Sequence, residues 1–144
     1  MPADTYEEEY SVDGKEFVAV GTASTKIKAA LKILGISSDL IRRASVIAYE
    51  TEMNVVIHGG GGIMKLAVHP DFIEVTAQDE GPGIPDISKA MQEGFSTATD
   101  KIREMGFGAG MGLPNIKRNA DEMKVTSEVG KGTKVRAVIN IVKN

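Results

Sequence analysis

Cysteine and tryptophan are absent from the 144-residue chain, histidine occurs twice, and aromatic residues make up only 5%. The missing cysteine excludes disulfides, thiolate metal sites and a cysteine nucleophile, and it suits a reducing cytosol. Two histidines leave little material for a zinc site. No apolar run approaches the roughly 18 residues that a membrane span needs, and the acidic stretch Met1 to Tyr10 lacks the basic-then-apolar order of a signal peptide. A cytoplasmic protein without a membrane partner is therefore expected. Excess positive charge is missing too: 17 Lys and Arg against 20 Asp and Glu give a net charge of -3, which offers no field to nucleic-acid phosphates. A protein partner or a small ligand remains. With 42% hydrophobic and 26% charged residues, the chain has the composition of an ordinary globular protein, and its length suits one domain over residues 1–144.

Alternation from Tyr6 to Val20 around Asp13-Gly14 predicts a β-hairpin, with Glu7, Glu8 and Glu9 guarding an edge strand. Ser24 and Thr25 are candidate caps for a helix with Ile27, Ala30, Leu31 and Leu34 at helical spacing and Gly35 at its end. A longer helix is expected to start near Ser37, Ser38 and Asp39. It would turn Leu40, Ile41, Ala44, Ile47, Ala48, Thr51 and Val55 inward and stop at the glycine run Gly59 to Gly62. Ile63 to His69 and Phe72 to Gln78 alternate as adjacent antiparallel strands, the second delivering Asp79 at its end. Residues 79 to 112 read as a long functional loop with one short helix, Ile87 to Glu93. Met111 to Ala120 then reads as a helix with Pro114 in its first turn, before strands Met123 to Val129 and Thr133 to Val142. The sum is one sheet with helices on one face.

Three stretches carry candidate chemistry. Glu50 and Asn54 are four residues apart, so they share one helix face, with His58 a turn further on. An amide oxygen can ligate Mg²⁺ and a neighbouring carboxylate can deprotonate a hydroxyl, although E-x-x-x-N alone is also the pattern of any solvated polar face. Asp79-Glu80-Gly81-Pro82-Gly83-Ile84-Pro85 sets a carboxylate at a strand end before glycines that let a flat ring approach; a tight turn with a solvated Asp is the plain alternative. Gly106-Phe107-Gly108-Ala109-Gly110-Met111-Gly112 leads into a helix whose free N–H groups favour a phosphate, but it does not match the dinucleotide spacing. Gly130-Lys131-Gly132-Thr133 is not a P-loop, because Gly132 separates Lys131 from Thr133; it reads as a glycine turn, with Thr133 available to a ligand.

Taken in order, Glu50-x-x-x-Asn54, Asp79-x-Gly81-x-Gly83, Gly108-Ala109-Gly110-Met111-Gly112-Leu113 and Gly132-Thr133 resemble the N, G1, G2 and G3 boxes of the GHKL (Bergerat-fold) ATPases. The resemblance spans about residues 24 to 142. Within the superfamily, Glu80 to Ile87 followed by Gly94-Phe95-Ser96-Thr97 is similar to the anti-sigma-factor and stress-switch serine/threonine kinases. The resemblance implies a two-layer α/β (α+β) sandwich, with a mixed, mostly antiparallel sheet, helices on one face and an ATP lid. It implies Mg²⁺ held by Asn54, Glu50 as base toward a serine or threonine hydroxyl, and Asp79 reading adenine. Gly81, Gly83 and Ile84 would line the base pocket. Residues from about Glu93 to Gly110 would form the lid, with Gly108, Ala109, Gly110, Met111, Gly112 and Leu113 around the phosphates and Thr133 near the adenine. No phosphoacceptor-histidine helix precedes these boxes and no transducer domain follows them, so histidine-kinase and gyrase-like roles are not expected.

Two functions compete on this reading. One is a kinase that uses Mg-ATP to phosphorylate a small antagonist of the STAS type. The other is a switch module in which nucleotide sets the grip on a sigma factor or phosphatase with little turnover. Glu50 and Asn54 together favour the kinase; homodimerisation is left open.

Overall fold

The computed structural model describes residues 5–13, 21–57, 60–84, 87, 91 and 112–141. Period-two alternation produces five strands: β1 (Tyr6–Asp13), β2 (Gly61–Val68), β3 (Phe72–Asp79), β4 (Glu122–Glu128) and β5 (Gly132–Asn140). They form one sheet in the order β1-β2-β3-β5-β4, and every described ladder is antiparallel. One face of the sheet carries Met64, Leu66, Ile73, Val75, Val135 and Ile139, all buried; the other carries Lys65, Thr76, Gln78 and Lys134. The helices cover the first face.

Among the described residues three helices do this: α1 (Thr22–Ile33), α2 (Ser38–Ile57) and α3 (Gly112–Asn119). Ile41, Ala44, Ile47, Ala48, Thr51 and Val55 recur along α2 every three or four residues, so one stripe is buried against β3 and α1. Ile27, Leu31, Ile47 and Ile116 are wholly inaccessible, each burial stabilising by about 1.5 to 3 kcal/mol. Inside the stripe Thr51 satisfies its hydroxyl by donating to the Ile47 carbonyl at 2.5 Å. The end of α1 is fixed by Gly35 at φ 75, where the Gly35 N–H donates to the Lys32 carbonyl and the Ile36 N–H to the Leu31 carbonyl, a Schellman closure.

Several boundaries differ from the expectation. α1 begins at Thr22, with Gly21 as its N-cap, so Ser24 and Thr25 lie inside it rather than capping it. The work of a cap falls to Glu52 of α2, whose carboxylate accepts the Ala23 N–H at 3.2 Å and the Ser24 N–H at 2.9 Å. Leu34 is the C-cap and 42% exposed, because the helix has already ended where its period would carry it inward. β2 starts at Gly61, so half of the glycine run is strand. β1 pairs with β2 through a register running from Tyr6 opposite Val68 to Asp13 opposite Gly61. The return strand expected after Asp13-Gly14 lies outside the described residues, as does His58. Of the short helix expected over 87–93 only Ile87 and Met91 are described, and the Met91 N–H donates to the Ile87 carbonyl at 3.0 Å. Glu7, on β1, the outermost of the described strands on its side of the sheet, pairs with Lys65 at 3.3 Å. Among the described residues no helix is long and apolar enough to cross a membrane.

Candidate functional site

α3 runs antiparallel to α2, and three contacts fix the pairing. Gly112 at its start lies against Asn54, Asn115 a turn later hydrogen-bonds Glu50, and at the far end Arg43 donates to the Asn119 carbonyl at 3.0 Å. Arg43 also pairs with Asp121 at 3.3 Å, which holds the end of α3 where last-turn carbonyls favour a cation. The opposite end of the pair therefore presents Glu50, Asn54 and the first-turn N–H groups of α3 to one another.

Space at that end is tight. A Cβ on Gly112 would sit 3.1 Å from Asn54 Oδ1, 3.2 Å from its Nδ2 and 3.4 Å from Glu50 Oε2, so only a glycine backbone approaches these groups without displacing them. The Asn54 Nδ2 is buried and has no partner among the described residues. An unpaired buried donor costs about 1 to 3 kcal/mol, which a ligand acceptor would return. Burial pushes the Glu50 carboxyl above its ordinary value, and the hydrogen bond from Asn115 opposes the shift without cancelling it.

The second part of the site is a transverse row at the end of the sheet. Gly62 stands opposite Asp79, and the β3–β5 and β5–β4 registers carry the row on to Thr133 and Ser127, on the helix-covered face. Asp79 Oδ1 accepts the Gly81 N–H at 2.9 Å and the Thr133 N–H at 3.3 Å. The loop after Asp79 is pressed onto the β4–β5 turn. The Gly130 N–H donates to the Pro82 carbonyl at 2.8 Å, and the Ile84 N–H donates to Ser127 Oγ at 2.6 Å. Gly83 (φ 81) and Gly132 (φ 125) make this contact possible, since a Cβ would stand 2.5 Å from the Glu128 carbonyl oxygen at the first and 2.0 Å from that of Asp79 at the second.

The structure thus brings Asp79, Gly81, Gly83, Ile84 and Thr133 together at the sheet end, and Glu50, Asn54 and Gly112 at the helix pair, with Leu113 buried beneath. Gly108, Ala109, Gly110, Met111 and the expected lid lie outside the described residues. Sequence reasoning missed Asn115, Ser127 and Glu52. Ser127 left a trace in the sequence, being the polar member of the inward series Met123, Val125, Ser127; the partners of the other two are set only by tertiary packing. A concavity of about 760 Å³ on the open sheet face, lined by Gly60, Lys65, Thr76, Gln78 and Lys134, reaches Asp79 but neither Glu50, Asn54 nor Thr133. The candidate chemistry therefore sits on the helix-covered side.

The donor set fits an adenine nucleotide with Mg²⁺: an amide oxygen and an unpaired N–H at Asn54, helix N–H groups beside it, and a carboxylate acceptor at Asp79. No group of three or more His, Cys, Asp or Glu that could hold a metal exists among the described residues. Residues 40–143 match the model of the histidine kinase-, DNA gyrase B- and HSP90-like ATPases, and the chain belongs to that family; it is an ATP-binding domain. Among its relatives is the serine/threonine-protein kinase RsbT of Bacillus subtilis, 34% identical over 111 residues, covering 74% of this chain and 77% of that one. The anti-sigma F factor of Geobacillus stearothermophilus is 33% identical over 119 residues, covering 78% of each. Solved structures share the fold at low identity. The SiaB-SiaC complex from Pseudomonas aeruginosa matches with TM-score 0.62, 14% identity and coverage of 92% of this chain and 88% of that one. The mycobacterial sensor histidine kinase MprB matches at TM-score 0.54 and 15% identity, covering 94% and 97%.

Proposed function

We propose that this chain is a cytoplasmic serine/threonine protein kinase of the partner-switching kind, which phosphorylates a small STAS-type antagonist and grips a sigma factor or phosphatase as its second partner. The observation that carries the reading is the Glu50 carboxyl, raised by burial and held one helical turn from Asn54 against the start of α3. A base with a raised pKa is matched to taking a proton near neutral pH. The names of the relatives, one a serine/threonine kinase and others anti-sigma F factors, support the two halves of the role.

Bound Mg-ATP supplies the phosphoryl group. Asn54 would hold the metal through its amide oxygen, its N–H would be free to donate to a phosphate oxygen, and the N-terminus of α3 would favour the phosphate charge. Glu50 takes the proton of the incoming serine or threonine hydroxyl as its oxygen bonds the γ-phosphorus and the bond from that phosphorus to the β–γ bridging oxygen breaks, ADP leaving. Asp79 accepts from the adenine amino group. Asn115 orients Glu50 and acts through it.

Incubation with Mg-ATP and a STAS-type antagonist tests this. Asn54→Ala should lose both Mg-dependent nucleotide binding and phosphorylation, whereas Glu50→Gln should keep nucleotide binding and lose about 10² to 10⁴ in transfer rate. Transfer by Glu50→Gln at the wild-type rate removes the base assignment. Nucleotide-dependent binding to a sigma factor without any transfer by the wild type would favour the switch module, the reading the anti-sigma F relatives support.

A further inference from the structure

Ser127 hydroxyl has one proton to give and two lone pairs to receive with. Three groups compete for them. The Ile84 N–H donates to Oγ at 2.6 Å, the Gly132 carbonyl lies at 3.0 Å and Thr133 Oγ1 at 2.9 Å. A carbonyl only accepts, so the Ser127 proton goes to Gly132, and Thr133 must then donate its own proton to the remaining lone pair of Ser127. The geometry cannot easily relax. The Gly130–Pro82 hydrogen bond and the close approach of Gly83 to Glu128 clamp the Asp79 loop and the β4–β5 turn together around Ser127.

We infer that Ser127 determines base specificity: by consuming the Thr133 proton it leaves Thr133 as an acceptor beside Asp79, so the pocket favours a 6-amino purine over a 6-oxo purine. The inference rests on the reading of this sheet end as a base pocket. Asp79 is an acceptor through both oxygens when ionised, and its Oδ1 is already engaged by Gly81 and Thr133 backbone N–H groups. With Thr133 also restricted to accepting, the row offers no side-chain proton to a 6-oxo group. A 6-amino group finds acceptors, while a 6-oxo group faces lone pairs and is left unsatisfied. Ser127 acts on the base through Thr133, with its further contacts to Ile84, Gly83 and Gly132 made within the protein, so it is a positioning residue.

The test compares ATP with inosine triphosphate, which carries a 6-oxo group and no 2-amino group, by calorimetry on the full chain. Wild type should prefer ATP. Ser127→Ala frees the Thr133 proton, which can then turn toward a 6-oxo group, and the ATP-to-ITP affinity ratio should fall by about tenfold. In a Thr133→Val background, which has no proton to free, adding Ser127→Ala should leave the ratio where Thr133→Val alone put it. If Ser127→Ala fails to fold, Thr133→Val alone decides, since an unchanged ratio there overturns the proposal. Equal losses of both affinities in Ser127→Ala also overturn it, making Ser127 a support for the loop only. A wild type that binds neither triphosphate overturns the nucleotide site and this inference with it, whereas binding with an unaltered ratio in Ser127→Ala overturns this inference alone.

Discussion

Glu50 is the residue where fold and chemistry pull apart. Its environment favours the protonated carboxyl, and a buried proton acceptor is wanted at neutral pH for transfer. A carboxyl whose folded-state pKa is raised contributes fully to stability below its ordinary value of 4.5, and that contribution is lost as pH rises through the raised value. Glu50→Gln keeps the shape and the contact to Asn115 without the charge. Its melting temperature should therefore match the wild type below the ordinary value of 4.5 and come to exceed it as pH rises through the raised value, followed by thermal denaturation from acid to neutral pH. A difference independent of pH, or one that shrinks as pH rises, would contradict the buried-carboxyl account. Spacing put Glu50 and Asn54 on one helix face, because a helix turns four residues onto one side, but it was the resemblance of the four boxes that singled the pair out. Asn115 was not legible, since nothing local to it points to a residue of another helix.

At the scale of the element, α1 shows how a local rule can find a helix and misplace its start. Ser24 and Thr25 look like caps, but the N–H groups of Ala23 and Ser24 are satisfied by Glu52, 28 residues from Ser24 in the chain. No local pattern reports such a partner. Glu52 is 2% exposed, so Glu52→Ala would leave two buried N–H groups bare and should destabilise by about 1 to 3 kcal/mol in urea denaturation. Glu52→Gln, which retains one acceptor, should recover part of the loss. No loss in either variant would mean that α1 is held by Ile27 and Leu31 alone. α2 was legible almost to the residue because its apolar stripe runs for five turns and its end is marked by glycine. The strands β4 and β5 were legible from alternation and from the glycine turn between them.

For the molecule as a whole, the helix-covered antiparallel sheet agrees with the two-layer sandwich that the family resemblance implied, but the order of its strands was not in the pattern. β2–β3 and β4–β5 are neighbours joined by short turns, and local chemistry finds them. β1 beside β2 and β5 beside β3 are pairings across long stretches of chain, chosen by which apolar faces close the core. The Asp13-Gly14 signal illustrates the gap: the return strand it predicts lies outside the described residues, while the described partner of β1 is β2, more than forty residues further on. Asp79 and Thr133 could be named as site residues one by one, yet only the β3–β5 register makes them neighbours.

That register also dictates an order of events on the ribosome. β5 is the last described strand to be synthesised and takes an inner place between β3 and β4. Until residues 132–140 emerge, β3 keeps an unpaired edge with Ile73, Val75 and Ala77 along it, a template for wrong pairing that a chaperone would have to shield. Asp79 Oδ1 meanwhile has the Gly81 N–H but lacks that of Thr133, so on the proposed reading the base pocket is incomplete and ATP would not stabilise the growing chain by binding to it. Nascent chains stalled with Lys131 as the last exposed residue should pass through immobilised ATP, and those released beyond Asn140 should be retained. On the proposed reading the nucleotide would join this protein only once its sheet is finished, rather than guide its assembly.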